Sequence, residues 1–312
     1  MKNRTKSIRA VPAVLAALAV ALLAACGNVG GGQGGGPTVT VGSKNFTEQY
    51  ILGELYAQAL EGNGFTVEKK LDLGSEQIAD KALQNGQIDM YPEYTGTALV
   101  ATLDYEGDPA ELETPEETYE KAKELYAQRD PEDTMLPPAP FNNNYGIVVR
   151  KEVAEKENLE TLADLAQASG DLTLVSYSEF QNRSDGYKNM QRNYPALDFG
   201  DIKIVNNLGL RYQGLQSGEG DVGVGYLTDG QLTSDNLVVM KDPKAIWPFY
   251  YPAPVVRTEV LDENPEMEEV LNSVSESLDV DTMRELNGKV DLDQEDPEDV
   301  AAEYLQEKEL VE

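Results

Sequence analysis

Beyond Thr38 the chain alternates short runs rich in β-branched residues with stretches whose apolar side chains recur every three or four positions, the pattern of an α/β protein. Residues 38–43 read as a first strand. Asn45 with Glu48 three positions on has the form of a capping box, and Ile51, Leu52, Leu55, Tyr56, Ala59 and Leu60 then fall on one helical face until Gly62 and Gly64 end it. Residues 65–73 form the second predicted strand. Ser75 is placed to cap a helix from Glu76 to Gln84, Asn85-Gly86 closes it, and Ile88 opens a third strand. The spacing thus predicts a βαβαβ unit, whose helix N-termini can aim backbone N–H groups at a ligand.

Residues 115–129 form a polar helix suited to an outer face, and the prolines within 137–140 mark a change of unit. An extended run at 145–149 leads into a second set of elements, with helices expected at 161–168, 186–193 and 211–216 and strands at 172–177, 202–206 and 222–226. Two further β candidates, 237–240 and 254–257, are expected to bring the chain back. After Thr258 the pattern is helical, with amphipathic stretches at 265–278 and 297–310. Residues 38–145 and 245–312 are therefore assigned to one lobe and 146–244 to another. Two crossovers between such lobes act as a hinge over a cleft, and ligands of open α/β sheets bind beyond the carboxyl ends of the strands.

The first 37 residues break this pattern. Lys2, Arg4, Lys6 and Arg9 precede an apolar stretch at 11–25 interrupted only by Pro12, which is the form of an export signal. It is short for a membrane span, which needs about 20 apolar residues. The stretch stops at Leu23-Ala24-Ala25-Cys26, before the only cysteine of the chain. These residues resemble a bacterial lipobox, which implies cleavage before Cys26 and lipidation of its thiol, with 26–37, rich in glycine, as a flexible tether.

With no histidine and a single cysteine, the common zinc, copper and iron ligand sets, His-based triads and disulfides are all excluded. Fifty-six acidic against 25 basic residues give a net charge of −31, which argues against nucleic acid or anionic lipid as a partner. Asp291, Asp293 and Glu295 have the spacing of a calcium loop, but Asp296 stands where that loop needs glycine, so they read as surface. Among 16 tyrosines, Tyr50, Tyr56, Tyr119 and Tyr126 lie on helical patterns and read as structural. Lys44, between a strand and a helix start, suits an anion.

Six strings occur in order: VGSKNFTE from Val41, DMYPEYTGT from Asp89, FNNNY from Phe141, EFQNRSDGY from Glu179, YLTDG from Tyr226 and WPFYYPAP from Trp247. With LNGKVD from Leu286 and PEDVAAEYL from Pro297, the chain resembles the substrate-binding proteins of osmoprotectant ABC transporters. The resemblance implies a type II periplasmic-binding-protein fold, two lobes joined by a two-crossover hinge. It implies a cage for a quaternary ammonium made of Tyr94, Tyr145, Tyr226 and Tyr250, with Tyr251 adjacent in the same motif. It also implies a carboxylate clamp of Lys44, Thr97 and Arg183, with Glu179 orienting Arg183. Gly225-Tyr226-Leu227 departs from the family's Ala-Tyr-Ser, and Asn143 stands where relatives can carry an acid.

The expected function is capture of glycine betaine or an analogue such as proline betaine or carnitine. The protein would act as a monomer lipid-anchored on the extracytoplasmic side of the cell membrane, delivering to ABC permease subunits, with no cofactor and no catalysis. The same-fold rival is a choline binder, against which the clamp speaks, since choline would leave two buried cations without an anion. A carboxylate-based envelope hydrolase is the rival from another class, but nothing in the sequence pins its acid pair. A structural or adhesive lipoprotein is a further alternative.

Overall fold

The protein is described by a computed structural model over residues 36–205 and 209–311; the expected signal, Cys26 and nearly all of the tether lie outside these residues. Two five-stranded mixed sheets organise the chain. In the first, β1 (Thr38–Gly42) runs parallel to β2 (Thr66–Lys70) and β3 (Met90–Tyr94), while β10 (Pro252–Arg257) lies antiparallel between β3 and β4 (Asp133–Met135). Both faces are covered, which is why Val39, Val41 and Met90 are wholly buried. Helix Thr47–Gly62 lays Leu52, Leu55 and Tyr56 on one face, beneath the C-terminal helices Glu266–Ser277, Val280–Asp291 and Pro297–Glu307. Helices Glu76–Gln84 and Pro115–Ala127 cover the other with Leu83 and Tyr126.

The expected capping box at Asn45 does not form. Helix Thr47–Gly62 starts from Phe46 without a side-chain cap, because Glu48 is drawn into long-range hydrogen bonds instead of folding back on its own first turn. Ser75 does precede its helix, but its hydroxyl turns to Gln77 and caps no backbone N–H.

In the second sheet, β6 (Thr173–Ser176) is parallel to β7 (Asp201–Ile204) and β8 (Val222–Tyr226), and β5 (Tyr145–Arg150) is antiparallel to β8 and β9 (Leu237–Val239). β9 was expected to bring the chain back but stays in this sheet, where Val238 and Val239 pair with Val149 and Val148 of β5. The return is made by 240–251, which delivers β10 to the first sheet; the outward crossing is 136–144. This is the two-lobe α/β arrangement with two connections between sheets.

Candidate functional site

The carboxyl ends of β1, β3, β6 and β8 point into one cavity of about 70 Å³ between the sheets. Each delivers aromatic or charged side chains there. Phe46 and Lys44 follow β1, Tyr94 ends β3, Tyr177 follows β6, and Tyr226 ends β8. Tyr145 is the register partner of Tyr226 across the antiparallel β5–β8 ladder, so the two rings share a sheet face and stack at 5.6 Å. Tyr250 arrives just ahead of β10 and meets Tyr145 edge-on at 5.7 Å.

All four expected cage tyrosines are thus brought together, and Tyr250 rather than Tyr251 lines the cavity. Phe46 and Tyr177 belong to it as well and were missed. Phe46 lies between the sheets, stacked on Tyr94 at 6.2 Å and on Tyr226 at 5.9 Å. Its place inside the quoted GSKNF string was the available signal. For Tyr177, whose hydroxyl meets that of Tyr226, the signal was its position just past the end of a strand. Burial pushes the Tyr226 hydroxyl up to about 12 and raises those of Tyr94, Tyr145 and Tyr250 well above the ordinary phenol range, so these four rings stay neutral phenols. Tyr50, Tyr56, Tyr119 and Tyr126 stand away from this cavity.

The expected clamp residues Lys44, Thr97 and Arg183 line one end. Arg183 donates through Nε and Nη2 to the Asp185 carboxylate at 2.9 and 2.6 Å, through Nη1 to Glu76 at 3.1 Å, and through Nη2 to Thr97 at 3.4 Å. Asp185 and Glu76 therefore orient Arg183, in place of the expected Glu179. The reason is local: helix Ser178–Asn182 ends before Arg183, whose backbone is extended, so the two side chains lose the spacing of one helical face. Glu179 still lines the cavity. Burial works against the Arg183 charge, but the Asp185 and Glu76 carboxylates hold it well above the ordinary guanidinium range. Arg183 in turn outweighs the burial of Asp185 and keeps that carboxyl low.

Lys44, 3% exposed, is ion-paired with the wholly buried Glu93 and sits 4.5 Å from the Tyr94 ring centre. Burial lowers the lysine and raises the glutamate, and their mutual attraction opposes both shifts. Both clamp cations thus already hold anions within the protein, contrary to the premise that a ligand without a carboxylate would leave them unpaired. Behind the cage, Glu48 accepts from the Tyr94 hydroxyl at 2.7 Å, from Asn143 Nδ2 at 2.7 Å and from Asn287 Nδ2 at 3.0 Å. Among the described residues no group of three or more histidine, cysteine, aspartate or glutamate side chains could hold a metal. Asp291 instead accepts from Thr47 Oγ1 and Gln231 Nε2.

A profile of the substrate-binding domain of ABC-type glycine betaine transport systems matches residues 37–307. Glycine betaine-binding protein YehZ of Escherichia coli (strain K12) is 36% identical over 282 residues, 86% of this chain and 90% of that protein. Carnitine transport binding protein OpuCC of Listeria monocytogenes is 31% identical over 304 residues, 96% of each. A crystal structure described as a glycine betaine/carnitine/choline ABC transporter is similar with a TM-score of 0.71 at 29% identity, covering 87% of this chain and 99% of that one. With nearly the whole described chain accounted for, this protein belongs to the family of substrate-binding domains of ABC-type glycine betaine transport systems.

Proposed function

We propose that the chain captures glycine betaine or a close analogue such as carnitine and hands it to the permease of an ABC transporter. The carrying observation is the cage itself, with Tyr94, Tyr145, Tyr226 and Phe46 standing face to face and Arg183 at one end of the same cavity. A quaternary ammonium has no N–H, so acceptors cannot satisfy it as they would a lysine. Aromatic faces can, each contact contributing about 0.5 to 2 kcal/mol according to desolvation. Four of the five N–H groups of Arg183 are committed inside the protein, so a ligand carboxylate would take the remaining one and compete for the long Thr97 bond. A cavity of this size between the sheets supports a small solute over an envelope polymer.

Choline preference is the second reading, favoured by Glu93 and by Asp185 with Glu76, which already balance Lys44 and Arg183. Calorimetric titration with glycine betaine, carnitine and choline, on wild type and Arg183→Ala, decides between them. Betaine should bind near micromolar, about −8 kcal/mol, and lose about 2 to 5 kcal/mol in the variant while any choline binding changes far less. Tighter binding of choline than of betaine by wild type would install the second reading, and equal losses would remove Arg183 from carboxylate recognition.

The family's setting is extracytoplasmic, and the sequence at Cys26 supports a lipidated anchor carrying a monomer on the membrane surface. Residues 38–145 with 245–312, and 146–244, are the lobes we assign to either side of the cleft, with 136–144 and 240–251 as the hinge segments.

A further inference from the structure

The reading of the cage as an ammonium site leaves one buried charge unexplained. Glu48 is 3% exposed and has no lysine or arginine partner among the described residues, whereas Lys44, Arg129, Arg183 and Arg211 each sit on carboxylates. Three donors converge on it from three separate parts of the chain: Tyr94 of β3, Asn143 of the outward crossing, and Asn287 of helix Val280–Asp291. Each is itself buried, and Asn287 also donates to Thr228 O at 2.8 Å, beyond the end of β8. Three donors and no acid neighbour in hydrogen-bond contact make a seat for an ionised carboxylate, yet an ionised carboxylate without a counter-ion is costly to bury.

The geometry points to the ligand's ammonium as that counter-ion: Glu48 is the cage's fixed negative charge, placed one phenol behind Tyr94, and selects for a cationic head group over a neutral one of the same shape. Two effects act together. The carboxylate attracts the cation through a low-dielectric wall, and by accepting the Tyr94 hydroxyl proton it enriches the face that the cation meets. Glu48 is a positioning residue in this scheme, since it acts through Tyr94. Burial raises its carboxyl above the usual range, and an arriving cation favours the ionised form, so at a pH where the carboxyl is partly protonated binding expels a proton. The charged groups around it are Asp229, itself held by Arg211, on the β8 side, and Lys44, paired with Glu93 and 4.5 Å from the Tyr94 ring centre; Asp291 accepts from the adjoining Thr47.

Glu48→Gln keeps the shape and removes the charge, and Asn287 can turn its unpartnered Oδ1 to the new amide. The test is a cycle over ligand charge: dissociation constants of wild type and variant for glycine betaine and for its tert-butyl analogue, the latter by displacement. Proton exchange on betaine binding is measured in mild acid in two buffers of different ionisation enthalpy. Betaine should weaken roughly tenfold in the variant and the analogue less than about twofold, and proton release by wild type should vanish. Equal losses for both ligands, or betaine affinity and proton release unchanged by the substitution, would overturn the assignment. A wild type that binds none of betaine, carnitine or choline would instead sink the functional reading on which this rests.

Discussion

Cage tyrosines that look equivalent in sequence differ in what their hydroxyls do. Tyr145 makes no hydroxyl hydrogen bond among the described residues, so Tyr145→Phe should leave betaine affinity and stability within about 0.5 kcal/mol of wild type. Tyr94→Phe strips a donor from buried Glu48 and should cost about 1 to 3 kcal/mol of stability. Chemical denaturation with calorimetry on both variants checks the contrast; equal effects would mean that the Glu48 bond carries no weight. The four tyrosines were legible because each sits in a short string with its neighbours. The partners of Arg183 were not, since Glu76 lies more than a hundred positions away and only the packed sheets bring it near. Glu48 was visible but misread, for its local spacing fitted a cap while its donors come from residues 94, 143 and 287.

At the level of elements, long periodic segments were legible and short pairings were not. Strands β1, β2, β3, β6 and β8 and helices Thr47–Gly62, Glu76–Gln84 and Pro115–Ala127 were legible from the sequence pattern, whereas the short helices Lys151–Glu157 and Ser178–Asn182 were not. β4 is three residues, Asp133–Met135, too few to show a period, and β9 betrays nothing in sequence about which sheet it joins. The tail was readable as helical, but not the way helix Val280–Asp291 docks on the segment leaving β8. There Arg284 donates to Leu227 O at 2.9 Å, and a methyl on Gly230 would fall 2.5 Å from Gly288 Cα. Gly230→Ala should therefore push helix and segment apart and destabilise the protein by about 1 to 3 kcal/mol. A guanidinium unfolding midpoint equal to wild type would show that this contact yields freely.

Across the whole molecule, the membrane attachment that we propose rests on Cys26 alone. No described helix is long and apolar enough to cross a bilayer, and the net charge of −31 repels anionic headgroups. Cys26→Ala should release the protein from the membrane fraction with its ligand affinity intact. Tight membrane association of the variant would point to another anchor.

The stacking of Phe46 on Tyr94 from the first sheet and on Tyr226 from the second carries a consequence for selection. Because the cage is assembled from both sheets, parting of the lobes about the hinge that we propose would leave only half of it, and observed affinity would then be the intrinsic affinity scaled by the fraction of molecules already shut. Tuning of the carrier to richer or poorer surroundings can therefore proceed through positions other than Asn143 and Tyr250 within the proposed hinge segments, 136–144 and 240–251, while the chemistry that recognises the solute stays unaltered.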